Sequence, residues 1–189
     1  MTALEIRYKH KFLVPNTLSL LRVPAAVILF LLISIDQIGI ALFVFLLTLA
    51  SDALDGHIAR KIEVCSTLGG YLDATADFSV VSLALLAYIL QSIYPYWMLL
   101  LVLIMFTQFL VTSQVKKPIY DPIGKYYGTF VMGIVGFTLL DCQSPIVQII
   151  PLFLLSFTIL SIVSRIYAIS RTRRITQLDE GFILGAQSA

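Results

Sequence analysis

The stretch SDALDGHIARKIEVCSTLGGYLDATAD, residues 51 to 77, places Asp52, Asp55, Asp73 and Asp77 in or beside segments apolar enough to cross a bilayer. An ionisable group at membrane depth costs about 3 kcal/mol or more, and proteins tolerate that chiefly for function. Four carboxylates without four matching cations nearby in sequence call for another counter-charge, and a pair of divalent metal ions is the simplest. On a helix, Asp52, Asp55, Gly56 and Ala59 fall within an arc of about 100°. Asp52 and Asp55 are an i, i+3 pair whose carboxylates can reach one ion. Gly69, Asp73 and Asp77 follow at i, i+4 and i+8 and form a second stripe. Hard oxygen ligands suit Mg²⁺, Mn²⁺ or Ca²⁺, and neither stripe offers a thiolate or a second imidazole. Gly56, Ala59 and Gly69 leave room for a bulky ligand, and Arg60 carries the fork geometry that matches phosphate. Two metals, small residues and a cation together suggest handling of a diphosphate. The ions would clamp phosphate oxygens while one carboxylate accepts a proton from the attacking group.

The elements that must position these residues follow from composition. The chain has 189 residues, is 59% hydrophobic and 13% charged, and has a mean hydropathy of +0.93. Soluble domains are about 25% charged, so an integral membrane protein is expected. A span takes about 20 apolar residues, which leaves room for about six. The continuous apolar runs argue against a β-barrel, whose strands alternate. The fold expected is an all-α bundle of six transmembrane helices, near residues 17–35, 38–58, 68–90, 97–115, 126–140 and 146–169. Residues 1–15 carry Arg7, Lys9, His10 and Lys11, with Leu4, Tyr8 and Phe12 at i, i+4. That pattern predicts a short amphipathic interfacial helix on the membrane surface, and the first span reads as an uncleaved signal-anchor. Residues 1–174 form one catalytic domain, and 175–189 a polar, loosely ordered tail.

Charge gives the orientation. Of the 13 Lys and Arg residues Arg22 stands apart inside the first expected span, and the other twelve, including Arg165 near the inner end of the sixth, fall on one side. The opposite turns, Asp36-Gln37, QSIYPY and DCQSP, contain none. By the positive-inside rule both termini and the active site are cytoplasmic. Asp52 lies nine residues before Lys61, roughly 13 Å of helix rise, so the site occupies a cytoplasm-facing cavity within the membrane. Cys65 and Cys142 fall on opposite sides, which argues against a disulfide between them.

The string Asp52-x2-Asp55-Gly56-x2-Ala59-Arg60-x8-Gly69-x3-Asp73-x3-Asp77 resembles the complete signature of the CDP-alcohol phosphatidyltransferases. The whole six-span chain, about residues 12 to 174, resembles that family's membrane domain. The resemblance implies a homodimeric enzyme that transfers a phosphatidyl group from a CDP-linked lipid to a polar alcohol and releases CMP. It implies two divalent ions, Mg²⁺ or Mn²⁺, held by Asp52, Asp55, Asp73 and Asp77. Asp77 would also be the general base. Asp52, Gly56, Ala59, Arg60 and Gly69 would bind CDP. The opening PNTLSLLRVP, with IGKYYGT further on, is similar to the phosphatidylglycerophosphate synthases of the family, which implies glycerol 3-phosphate as acceptor. Within IGKYYGT, however, Tyr127, Gly128 and Val131 stand where lysine, threonine and glutamine would be expected. Inositol phosphate, serine or another alcohol stays open, as does an ester- or ether-linked lipid.

Competing readings attach to the same residues. Four intramembrane aspartates also suit a proton or cation transporter, a reading the glycine, alanine and arginine positions disfavour. A membrane prenyltransferase would need a larger bundle with two distant aspartate-rich motifs. Lys116, Lys125 and Arg22 are candidates for the acceptor phosphate; the alternative is headgroup contact for the lysines and snorkelling for Arg22. His57 falls about 140° from Asp52, off the active face. Tyr94, Tyr96 and Trp97 read as an interfacial belt. Gly128, Gly133 and Gly136 read as close-packing or dimer positions. Membrane lipids are the expected surroundings, and no nucleic-acid partner is expected.

Overall fold

The computed structural model describes residues 20–62, 67–113 and 124–187; the side chains of 55–62, 67–70, 112–113, 124–125, 168–169 and 171–187 lie outside the description. The interfacial segment 1–15, Cys65 and Lys116 therefore lie outside the described residues. Among the described residues there are six helices and no strand: α1 (Leu20–Ser34), α2 (Ile38–Ile62), α3 (Thr67–Leu90), α4 (Trp97–Ser113), α5 (Gly124–Leu140) and α6 (Pro145–Gln187). Tyr71–Leu90 of α3 and Pro145–Tyr167 of α6 are long and apolar enough to cross a membrane. The apolar parts of α1, α2, α4 and α5 are shorter.

Three connections have the sites and lengths that the polar interruptions demand. At the end of α1, Asp36 N–H donates to Ile33 O and Gln37 N–H to Leu32 O. At the end of α3, Ser92 N–H donates to Ile89 O and Ile93 N–H to Tyr88 O. Both are paired 5→2 and 6→1 bonds that satisfy the last carbonyls of a helix. They place Asp36 and Ser92 at φ 61° and 62°, the left-handed region where glycine is usual. The Gln91 side-chain amide then donates to Ile33 O at 2.6 Å and ties the same ends of α1 and α3 together. Helix α6 opens with Ser144 and Pro145, a residue suited to the first helical position because it has no N–H to leave unsatisfied. It continues for 43 residues, about 65 Å, roughly twice the thickness of a hydrocarbon core. The segment from Ile175, expected to be loosely ordered, is thus helical through Gln187. Its polarity predicts solvation, and solvation does not prevent helix formation.

Helix α5 packs against α2, α3 and α6, while α4 packs against α3 and α6. The largest fully buried side chains include Phe45, Tyr88, Leu29, Ile33, Leu85, Met98 and Leu154. Two core tyrosines pair with threonines of neighbouring helices. Thr138 Oγ1 donates to Ile134 O, so the Tyr94 hydroxyl, 2.6 Å away, donates to Thr138. Tyr94 is 3% exposed and lies edge-on to Tyr88, so it belongs to the core and not to an interfacial belt. Tyr96, at 81% exposed, keeps the outward position. Tyr127 repeats the arrangement: Thr158 donates to Leu154 O, and the Tyr127 hydroxyl donates to Thr158 at 3.0 Å. Tyr127 thus fastens α5 to α6.

The glycines of α5 divide by environment. A Cβ at Gly136 would lie 3.0 Å from Phe45 Cε1, so this glycine allows α2 and α5 to approach, whereas Gly128 and Gly133 face open space. Gly136→Leu is expected to destabilise the protein by about 1–3 kcal/mol through overpacking. Gly133→Leu should leave stability nearly unchanged. Thermal midpoints of both variants in detergent check the contrast, and equal losses would contradict the packing described.

Candidate metal and active site

The site forms where α1, α2 and α3 meet. Asp52 lies ten residues before the end of α2, and Asp73 and Asp77 lie six and ten residues after the start of α3. The carboxylates of both helices therefore sit at comparable depth, about 9–15 Å from the α2–α3 connection. One oxygen from each of Asp52, Asp73 and Asp77 lies within 4.8 Å of the others.

A cation from α1 lies behind them. Arg22 donates from one terminal nitrogen to Asp73 Oδ1 at 2.7 Å and to Asp77 Oδ1 at 2.8 Å. Its other terminal nitrogen is 2.9 Å from Asp52 Oδ1. The Arg22 side chain is 1% exposed, whereas those of Asp52, Asp73 and Asp77 are 46%, 43% and 35% exposed. The guanidinium thus closes the inner wall, and the carboxylates open outward. A buried arginine is stable only when its donors are met by acceptors, and three carboxylates meet that need.

These residues suit a hard divalent cation. The donor set is all carboxylate oxygen, it is partly open, and three carboxylates against one guanidinium leave two negative charges. Asp55, Gly56, Ala59 and Arg60 lie on the last turns of α2, and Gly69 on the first turn of α3; their side chains are outside the described residues. Lys125 begins α5 under the same restriction, and Lys116 lies in the undescribed 114–123 connection. The structure therefore joins three of the four aspartates and adds Arg22, expected at the acceptor phosphate, as their direct partner. Sequence reasoning passed over Arg165 of α6, which is 7% exposed. The available signal was its position just inside the last apolar run.

Outside this site, between α5 and α6, an apolar groove of about 600 Å³ is lined by Tyr126, Phe130, Gly133, Phe137, Ile150 and Phe157, among others. At the opposite end of the bundle, burial and the nearby Asp36 and Asp141 carboxylates push the Cys142 thiol above its ordinary range.

Carboxylates gathered with a buried guanidinium among apolar helices are the kind of arrangement that membrane-embedded proteins keep for function. The family model described as CDP-alcohol phosphatidyltransferase matches residues 12–170, and the chain belongs to that family. Human cardiolipin synthase (CMP-forming) is 40% identical over 77 residues, 40% of this chain and 26% of that protein. The CDP-diacylglycerol–glycerol-3-phosphate 3-phosphatidyltransferase of Haemophilus influenzae is 30% identical over 110 residues, 57% of this chain and 59% of that protein. The enzyme of the same name from Pseudomonas fluorescens is 37% identical over 75 residues, 38% of each chain. The matched region thus spans between about a quarter and three fifths of these relatives' lengths.

The contacts at Arg22 predict energetic coupling. Arg22→Met and Asp52→Asn should each lower the unfolding free energy, and the double variant should lose less than the sum of the two. The expected coupling is about 1 kcal/mol or more, measured by denaturant titration in mixed micelles. Strict additivity would mean that the ion pair contributes nothing.

Proposed function

We propose that the protein transfers a phosphatidyl group from CDP-diacylglycerol, or an ether-lipid equivalent, to glycerol 3-phosphate and releases CMP. The observation that carries this reading is the convergence of Asp52, Asp73 and Asp77 within an apolar helical bundle whose family handles CDP-alcohols. The names of the bacterial relatives favour glycerol 3-phosphate as acceptor. The human relative's name adds formation of cardiolipin with release of CMP as a second candidate.

In this reading, Asp52, Asp55, Asp73 and Asp77 hold two divalent ions, Mg²⁺ or Mn²⁺. Bound there, the ions supply neutralisation of the diphosphate charge. The chain's own residues do the remaining work. Gly56, Ala59 and Gly69 make room for the CDP group, and Arg60 donates to its phosphate. Asp77, the least exposed of the three described carboxylates, accepts the proton of the acceptor hydroxyl as that oxygen attacks the lipid-linked β-phosphorus. The new oxygen–phosphorus bond forms as the bond to CMP breaks, and the proton rests on Asp77. Lys116 and Lys125 attract the acceptor phosphate from the cytoplasmic loop. Fixed donors stabilise the developing charge without reorganising at the moment of reaction.

Six spans, residues 1–15 on the membrane surface, both termini cytoplasmic, and assembly as a homodimer complete the proposal. Twelve of 13 cations on one side of the hydropathy pattern support the orientation.

Purified protein given CDP-diacylglycerol, Mn²⁺ and glycerol 3-phosphate is expected to release CMP. Asp77→Asn should lower turnover by about 100-fold or more while CDP-lipid still binds. CMP release only with inositol phosphate, serine or a glycerol-headed lipid would reassign the acceptor. Ion flux without CMP release would replace the enzyme by a transporter. For topology, a membrane-impermeant maleimide should label Cys142 in right-side-out vesicles, slowly and faster at alkaline pH because its thiol is held protonated. Cys65 should react only after permeabilisation, and the reverse pattern would invert the orientation.

A further inference from the structure

The metal-binding reading above gives the carboxylates their counter-charge, yet the structure already supplies one from an unexpected direction. Arg22 comes from α1, 30 residues before Asp52, and contacts Oδ1 of Asp52, Asp73 and Asp77 at 2.9, 2.7 and 2.8 Å. We propose that Arg22 is a built-in counter-ion that stands in for divalent metal, holding the empty site together and weakening metal binding once metal arrives. The inference rests on the reading that these carboxylates bind metal.

Three features lead to it. First, the guanidinium is 1% exposed, so it lies at the inner wall and has no open path to a substrate phosphate. Second, it touches all three described carboxylates, which come from two helices, so a single cation spans the whole described cluster. Third, the carboxylates are partly exposed while the arginine is not, so an ion reaches them without displacing the arginine first. Without Arg22 the three anions would face one another with repulsion only partly screened by water.

The same charge acts in opposite directions in the two states. In the metal-free protein Arg22 is the main compensation, so its loss is felt in full. With divalent ions bound, the carboxylates are already compensated and the guanidinium repels the added charge, so its loss is felt less. By the closed thermodynamic cycle, a variant that loses more stability empty than loaded must bind metal more tightly. A residue that only braced three helices would cost the same in both states. Arg22 is on this account a positioning residue, because it acts through the carboxylates.

The test compares full-length wild type, Arg22→Met and Arg22→Lys in detergent, with Mn²⁺ as the probe and no substrate. Thermal midpoints are read in EDTA and in saturating Mn²⁺, and Mn²⁺ dissociation constants come from the electron paramagnetic resonance of free Mn²⁺. Arg22→Met should melt below wild type in EDTA, show a larger Mn²⁺-induced rise, and bind Mn²⁺ about tenfold more tightly. Arg22→Lys, which keeps the charge, should resemble wild type in the size of the rise. An Arg22→Met protein folded only in Mn²⁺ would support the proposal in extreme form. An equal or smaller Mn²⁺-induced rise, weaker Mn²⁺ binding, or a protein that stays unfolded in Mn²⁺ would overturn it and make Arg22 a structural brace. A wild type with no Mn²⁺ response at all would overturn the metal reading itself, and the counter-ion proposal with it.

Discussion

The structure depends on one electrostatic constraint: carboxylates gathered on apolar helices, where water reaches them only in part, must be compensated. Asp52, Asp73 and Asp77 meet around a guanidinium that is 1% exposed, and α1, α2 and α3 are fixed against one another by that meeting. Elsewhere in the bundle several polar groups are satisfied locally. Threonines such as Thr48, Thr138 and Thr158 donate to carbonyls one turn back on their own helices. Two of the three buried tyrosines among the described residues, Tyr94 and Tyr127, each donate to one of those threonines. The buried charge is therefore concentrated at the site, while the described polar groups of the remaining core are short and uncharged apart from Arg165.

Helix geometry brings that constraint to one shared site. The carboxylate-bearing turns of α2 and α3 lie at matched distances from their connection, so residues far apart in sequence share one depth. At the far end, the paired helix-terminating bonds at Asp36 and Ser92 and the Gln91–Ile33 bond hold α1 and α3 in register. Helix α5 approaches α2 closely at Gly136, where only a hydrogen faces Phe45. Rigid placement of charged groups is what phosphoryl-type transfer requires, because alignment and charge neutralisation supply most of its rate.

Much of this was legible in the residues. Polar turns between apolar runs put the helix boundaries within a few positions, as at 36–37, 91–96 and 141–144. Aspartates at i, i+4 in an apolar segment announced a shared face. The partner of those aspartates was not legible, because Arg22 is 30 to 55 residues away and periodicity reports only local faces. A lone cation inside an apolar span was the signal; its direction was decided by three-dimensional packing. Tyr94 was misread for a similar reason. Composition places aromatic residues near an interface, but a hydrogen-bond acceptor on a neighbouring helix draws them inward. The helical continuation of α6 was missed because polarity measures burial and says little about backbone conformation.

The central claim is that the outward face of this carboxylate cluster holds divalent metal for chemistry on a CDP-linked lipid. Anomalous diffraction from crystals grown with Mn²⁺ and CDP-diacylglycerol tests it most directly. The account predicts manganese peaks bonded to oxygens of Asp52, Asp73 and Asp77, with the diphosphate alongside and the Arg22 guanidinium on the opposite side. Manganese bound elsewhere, or a CDP-lipid seated away from these three carboxylates, would contradict it.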